Sequence, residues 1–539
     1  MTEQSIRRAE SLGALASCLA LSMGAVVWSW RHGAMLNYGD AIAHLHIARR
    51  VIDSHRPGLS QLGSVWLPLP HLLLIPFVAV YSWWANGIAG MIPSALAYLV
   101  GCAGIYRLAR HWLQPLAAAV TLAFFATNPN LLYLQTTAMT EPLFLCEIIW
   151  TVVWLVEWRA CMENDQSRAE RRLWLIAAVL VAAIFTRYDG WILALLAWSS
   201  VGVVLLRRGG LRSRTFWLAS ALVVAAPVTW FVYNATVFGD WLDFARGPYS
   251  ARAIEIRTTT SGASPPHPGW HNPWVSLLFF VKTAEMDAAA LAWGNALLVL
   301  SFLGTAGAWL IARHRAFQWV LLLWMPVPFY AYAIAYGSVP IFLPVWWPHS
   351  WYNTRYGLEL LPAFALGLGF AARFCLGAVR EFKPAWTKYA AAFLFALIAW
   401  NAWHVVREHP LTYVEGMKNL DSRRSFEKEI PPVLRALLAT RPGGEVLMET
   451  SVYPQLVSLT GIPLSQTINE SDKQFYAAAL AAPASYAAVV LAFDGDEIDR
   501  AVKAHPAGLV FVQRFTCRGQ APASVYVSDI PNINKGTER

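Results

Sequence analysis

The residues best suited to chemistry stand between long apolar runs. Asp40 follows a glycine and His44 lies four residues later, so on a helix the two share a face. Tyr38 precedes them. Arg49, Arg50 and Asp53 continue the stretch, which Pro57-Gly58 is expected to end. His71 follows Pro68-Leu69-Pro70. Glu141 opens a later apolar run, where an acid complements the helix dipole and Thr140 can cap. Arg187 and Asp189 share a short hairpin and read as a self-satisfied pair. His349, Arg355 and Tyr356 lie in an aromatic segment that leads through Glu359 and Pro362 into another run. Guanidinium matches phosphate bidentately. Two separated acids, an arginine among aromatics and a basic segment at 239–287 fit transfer of a sugar from a lipid phosphate. Asp40 would accept the proton of the attacking hydroxyl, and cationic groups would stabilise the departing phosphate. Asp40 and Glu141 could instead hold a divalent cation, Mg or Mn.

The elements that must position these residues are membrane helices. Of 539 residues, 57% are hydrophobic and 14% charged, against about 25% charged in a soluble domain. About eleven runs approach the roughly 20 residues a bilayer crossing needs. They fall near 11–30, 92–108, 115–128, 142–158, 173–187, 190–206, 216–234, 288–312, 316–336, 358–376 and 389–406. The stretch 67–84 contains Pro68, Pro70 and Pro76 and reads as juxtamembrane rather than spanning. The LASC at 15–18 resembles a lipoprotein processing site, but the apolar run continues to Trp30 and reads as an uncleaved first span.

Arg7 and Arg8, Arg107 and Arg110, Arg168 to Arg172, Arg207 to Arg214, Arg313 and Arg315, and Arg373 to Lys388 all fall on one side of this alternation. The positive-inside rule then places the N-terminus in the cytoplasm and the long loops outside. The net charge of +9 is accounted for in the same way, and no basic patch suggests nucleic acid. No CxxC pair or zinc-ligand spacing occurs among the six cysteines.

Residues 1–406 thus read as the membrane domain and 407–539 as an extracytoplasmic soluble α/β domain. In the latter, 445–449, 487–492, 508–515 and 525–527 read as strands, and 424–438, 473–480 and 497–504 as helices. About 130 residues suffice for a core. No phosphate-binding loop or nucleophile elbow occurs there, which leaves recognition or structural support as its role.

Five short motifs resemble the GT-C superfamily of membrane glycosyltransferases, in the branch of protein O-mannosyltransferases and lipid A aminoarabinose transferases. They are Tyr38-Gly39-Asp40, Pro68-Leu69-Pro70, Ile92-Pro93-Ser94-Ala95, Met139-Thr140-Glu141-Pro142, and Arg355-Tyr356-Gly357 with Leu361-Pro362. The resemblance implies a GT-C-like α-helical polytopic fold and a polyprenyl-phosphate sugar donor. It implies a lipid, glycan or protein acceptor and a bacterial inner-membrane location. It makes Asp40 the catalytic base and Glu141 its assistant, with Arg355 on the donor phosphate. Tyr38, His44, His71, Arg187, His349 and Tyr356 complete the expected substrate-binding set. Two departures stand out: His71 replaces a lysine common in relatives, and Ala41 follows Asp40 where some carry a second acid. The competing readings are a flippase for lipid-linked glycans and a polysaccharide polymerase or ligase. A transporter would place ionisable groups near the bilayer midplane and show paired halves.

Overall fold

The computed structural model describes residues 3–260, 266–290, 293–312 and 317–530. The fold is mainly helical: α1 (Glu3–Arg31), α2 (Gly39–Arg50), α3 (Pro68–Val78), α4 (Tyr81–Asn86), α5 (Ile88–Ala109), α6 (Pro115–Ala126), α7 (Pro129–Leu134), α8 (Glu141–Asn164), α9 (Gln166–Thr186) and α10 (Asp189–Arg207). Then come α11 (Arg214–Phe238), α12 (Asp243–Arg246), α13 (Ala251–Thr260), α14 (Pro273–Ala288), α15 (Trp293–Ala312), α16 (Pro326–Tyr336), α17 (Leu361–Phe382), α18 (Thr387–Arg407), α19 (Leu411–Asp421) and α20 (Arg424–Ala439).

Among the described residues, eight helical segments are long and apolar enough to cross a membrane. The other three expected runs are also helices, but each departs from a simple span. α6 has 12 residues. α8 carries Glu141, Glu147 and Glu157 within its apolar length. α9 opens on Arg168, Glu170, Arg171 and Arg172. The prolines of 67–84 divide that stretch into α3 and α4, both too short to span. The segment 239–287, read as one long loop, is largely helical as α12, α13 and α14. Part of its Pro-rich centre, at 261–265, lies outside the described residues, as do Arg313 and Arg315.

The chain does not divide at a single cut near 406. One compact unit comprises Met1–His32, Ser64–Pro70 and Met91–Glu415; the other comprises Gly33–Gly63, His71–Gly90 and Gly416–Arg539. In the first, α15 and α17 meet through small residues. A Cβ on Gly304 would strike the Gly367 carbonyl, and one on Gly367 the Ser301 carbonyl. Close backbone approach of this kind is how helices associate without a hydrophobic drive from water.

The second unit is built on a five-stranded sheet: β1 (Val446–Met448), β2 (Thr467–Ile468), β3 (Val489–Phe493), β4 (Leu509–Phe515) and β5 (Ala523–Ser528). The order is β2-β1-β3-β5-β4, with β1 parallel to β2 and β3, and β5 antiparallel to β3 and β4. The two-residue β2 has no counterpart in the sequence reading, being too short for a periodic signal. β3 is buried throughout, as its unbroken apolar run requires. α20 repeats an apolar residue every fourth position and buries Phe426, Ile430, Leu434 and Leu438. The helix Glu497–Ala504 starts where the Asp496 side chain accepts from the Asp499 amide.

The segment after α1, 33–63, belongs to this unit because its polar groups find partners there. Asp53 accepts from the backbone amides of Leu464 and Ser465 at 3.1 and 3.2 Å and from the Ser465 hydroxyl at 2.8 Å. His55 Nε2 lies 3.0 Å from the Thr467 carbonyl. α2 ends at Arg50, well before Pro57, although the Asp53 amide still donates to the Arg49 carbonyl at 2.9 Å.

Candidate active site

The membrane unit gathers a buried ionic cluster from the mouths of several helices. Glu141 is the first residue of α8 and Asp189 the first of α10. Arg187 lies between α9 and α10, and Arg355 and Glu359 occupy a 3₁₀ turn just before α17. Arg355 donates from Nε to Glu141 Oε1 and from Nη1 to Glu415 Oε1, both at 3.0 Å. Arg187 reaches Glu141 Oε1 at 3.3 Å, Asp189 Oδ2 at 3.1 Å, Glu359 Oε1 at 3.1 Å and the Tyr330 hydroxyl at 2.8 Å. Tyr330 in turn donates to Glu359 at 2.5 Å. Glu141, Glu359 and Glu415 are each only 1% exposed.

Thr140 does not cap α8 with its side chain; its hydroxyl accepts from Arg187 instead. Tyr356 lies beneath both guanidiniums, 4.9 Å from Arg187 and 5.0 Å from Arg355, and stacks on Tyr330.

Glu415 is held from the other side. It accepts from the amides of Asn353 and Thr354 at 2.8 and 3.0 Å and from the Thr354 hydroxyl at 2.6 Å. Asn353 adopts the left-handed conformation this requires. Asp287, at the end of α14, is 1% exposed, and the Leu358 amide faces its carboxylate. Burial, and then the charges of Glu415 and Glu141, push its carboxyl well above the usual range. A Cβ on Gly357 would lie 2.6 Å from Asp287 Oδ2 and from the Ala284 amide. The glycine of Arg355-Tyr356-Gly357 is thus what lets the 3₁₀ turn lie against α14.

Tyr38, Asp40, His44 and His71 lie in the other unit. Tyr38, 1% exposed, is extended and precedes α2, which puts Asp40 in the first helical turn. His44, one turn on, places Nδ1 2.9 Å from Nε2 of His71 near the start of α3. Both rings are buried. The C-terminal segment holds this loop directly. Arg423 donates to the carbonyls of Leu36 and Asn37 at 2.6 and 3.0 Å, and Asn419 accepts from the Gly39 amide at 3.4 Å. His46, two residues past His44, is 3% exposed, and neither ring nitrogen meets a protein partner. Burial, and then the charge of Arg50, hold its pKa well below the ordinary histidine value.

The structure thus joins Glu141, Arg187, Arg355 and Tyr356 in one cluster; in the other unit it joins His44 to His71, with Tyr38 and Asp40 at the start of the helix that carries His44. His349 is exposed, bonds the Pro344 carbonyl and shows no bond to either group. Arg187 and Asp189 do pair, but as part of the larger cluster rather than as a closed pair. Tyr330, Asp287 and Glu415 were not expected. The sequence reads Asp189 as the partner of Arg187 alone and gives Glu359 no role, although both stand at a helix mouth as Glu141 does. Tyr330 carried no signal, lying inside an apolar aromatic run. Among the described residues no group of three or more His, Cys, Asp or Glu is arranged to hold a metal ion.

Solved structures with this fold exist. The chain aligns with ArnT from Cupriavidus metallidurans bound to undecaprenyl phosphate over 96% of its own length and 99% of that chain, at 14% identity and a TM-score of 0.55. The apo form of the same protein aligns over 95% and 98%, at 13% identity and 0.52. At this identity the likeness is one of fold, and it bears out the expected polytopic helical fold with a C-terminal α/β sheet domain. No protein-family model and no curated protein matches the chain.

Proposed function

We propose that the protein is an integral membrane glycosyltransferase that moves a sugar from a polyprenyl-phosphate donor to an acceptor hydroxyl on the extracytoplasmic face. The observation that carries this reading is the full-length likeness to a protein crystallised with undecaprenyl phosphate. Two features support it. The ionic cluster is assembled at helix mouths, where a surface reaction needs it, rather than along the helices at mid-depth as a transport path would require. An apolar cavity of about 300 Å³ between α6, α15, α17 and α18, lined by Trp293, Leu368, Leu397 and Trp400 among others, suits a hydrocarbon chain.

In the proposed reaction Asp40 accepts the proton of the acceptor hydroxyl as its oxygen attacks the anomeric carbon. The bond from that carbon to the phosphate oxygen breaks, and polyprenyl phosphate leaves with the electron pair. Attack opposite the leaving group inverts the anomeric centre. His44 and His71, joined through ring nitrogens, are assigned to the donor phosphate in place of the lysine found in relatives. Arg355 and Arg187 are already paired with carboxylates, so a phosphate at either must displace one of them.

The test is incubation of purified protein with radiolabelled polyprenyl-phosphate sugars and an envelope extract. Label leaving the lipid supports transfer, and the labelled product identifies the acceptor. Label that crosses a liposome bilayer while staying on its lipid would favour a flippase instead.

A further inference from the structure

We propose that Arg423 is a positioning residue for Asp40, and that the C-terminal domain thereby sets the geometry of the proposed base. The inference rests on the reading of Asp40 as that base. Its structural part stands on the hydrogen bonds alone.

Asp40 occupies the first turn of α2, so its placement depends on how the chain enters that helix. The entry is short and irregular. A 3₁₀ turn (Ala34–Leu36) leads through Asn37 to the extended Tyr38, and the helix begins at Gly39. The carbonyls of Leu36 and Asn37 fall before the helical ladder. Asn37 is 2% exposed, where an unmet carbonyl is costly.

Arg423 meets both carbonyls at once, with Nη2 on Leu36 and Nη1 on Asn37. Its Nε donates to Glu427 Oε1 at 2.6 Å, one turn along α20, which fixes the plane of the guanidinium. Arg423 is itself 7% exposed. Two neighbours reinforce the grip: Asn419 on the Gly39 amide, and Met417, whose sulfur accepts from Asn37 Nδ2 at 3.4 Å.

A planar fork spanning two successive carbonyls is a task lysine cannot reproduce, since it offers one compact ammonium. The domain that carries no nucleophile or phosphate loop of its own therefore contributes to the reaction through one side chain. Small displacements of a catalytic group cost up to about 10²-fold in rate, which makes such a clamp consequential.

The test uses full-length Arg423→Met and Arg423→Lys. Amide hydrogen exchange across 34–42 should accelerate in Arg423→Met while strand β3 keeps its protection. Turnover per folded molecule should fall about 10²-fold with donor affinity unchanged, and Arg423→Lys should recover only part of it. In an Asp40→Asn background, Arg423→Met should cost nothing further. The proposal is overturned if exchange at 34–42 is unchanged, if turnover per folded molecule survives, or if the loss multiplies on Asp40→Asn. Should the wild type transfer no sugar, the functional reading fails, and the exchange measurement alone decides whether the clamp exists.

Discussion

Arg355 is buried between two carboxylates, Glu141 and Glu415, each 3.0 Å away. An arginine beside an apolar run demands an anion, and the fold supplies two within itself. The demand was legible because ionisable groups beside apolar runs are few. The partner was not, because Glu415 comes from a stretch of ordinary soluble composition. Breaking a buried pair on one side leaves an uncompensated charge worth about 3–5 kcal/mol. Arg355→Met should therefore lower the thermal unfolding temperature sharply, and adding Glu141→Gln should restore part of the loss. Full additivity of the two changes would mean the ion pair is not coupled. Glu141→Gln alone should slow turnover without weakening donor binding, since it removes a carboxylate that competes with phosphate for the arginines. Equilibrium binding of the donor to purified variant reads this directly, and weaker binding would remove Glu141 from that role.

At the scale of elements, four of the five strands, the amphipathic α20 and the apolar helices followed from sequence pattern. The end of α2 at Arg50 did not, nor did the partners of the Asp53 side chain, amides about 410 residues away in sequence. Close approaches were also invisible. Gly357→Ala should cost about 1–3 kcal/mol or more by overpacking against α14. Gly377→Ala in α17, where an added Cβ meets nothing within 4 Å, should be tolerated or mildly stabilising. Equal unfolding temperatures for both variants would contradict the close packing of the 3₁₀ turn on α14.

His46 gives α2 a pH signature. Its pKa is depressed in the fold, first by burial and then by Arg50, so the unfolded chain takes up the proton first as pH falls through about 6.5. Its contribution is present above that value and lost below it. Asp472 and Glu449, each raised to about 6 chiefly by burial, act in the opposite sense and cost stability as pH rises through about 6. His46→Leu should therefore lose less stability than the wild type between pH 7.5 and 5.5. Parallel unfolding curves for the two proteins would show that His46 titrates normally.

For the whole molecule, composition alone announced a polytopic membrane protein with a separate α/β fold at its C-terminal end. Composition could not show that the segment carrying Asp40 folds with that C-terminal region, since the join is made by hydrogen bonds between residues far apart in sequence. The proposed orientation, with the N-terminus cytoplasmic and the C-terminus outside, predicts that a C-terminal alkaline phosphatase fusion is active; an inactive but stably made fusion would reverse the topology. The central claim is that Asp40 is the base of a sugar transfer. Its most direct test compares wild type and Asp40→Asn for release of label from a polyprenyl-phosphate sugar, with donor binding measured in parallel. Asp40→Asn should lower transfer about 10²–10⁴-fold, the usual worth of a general base, at unchanged donor affinity. Transfer by Asp40→Asn at near the wild-type rate would contradict it.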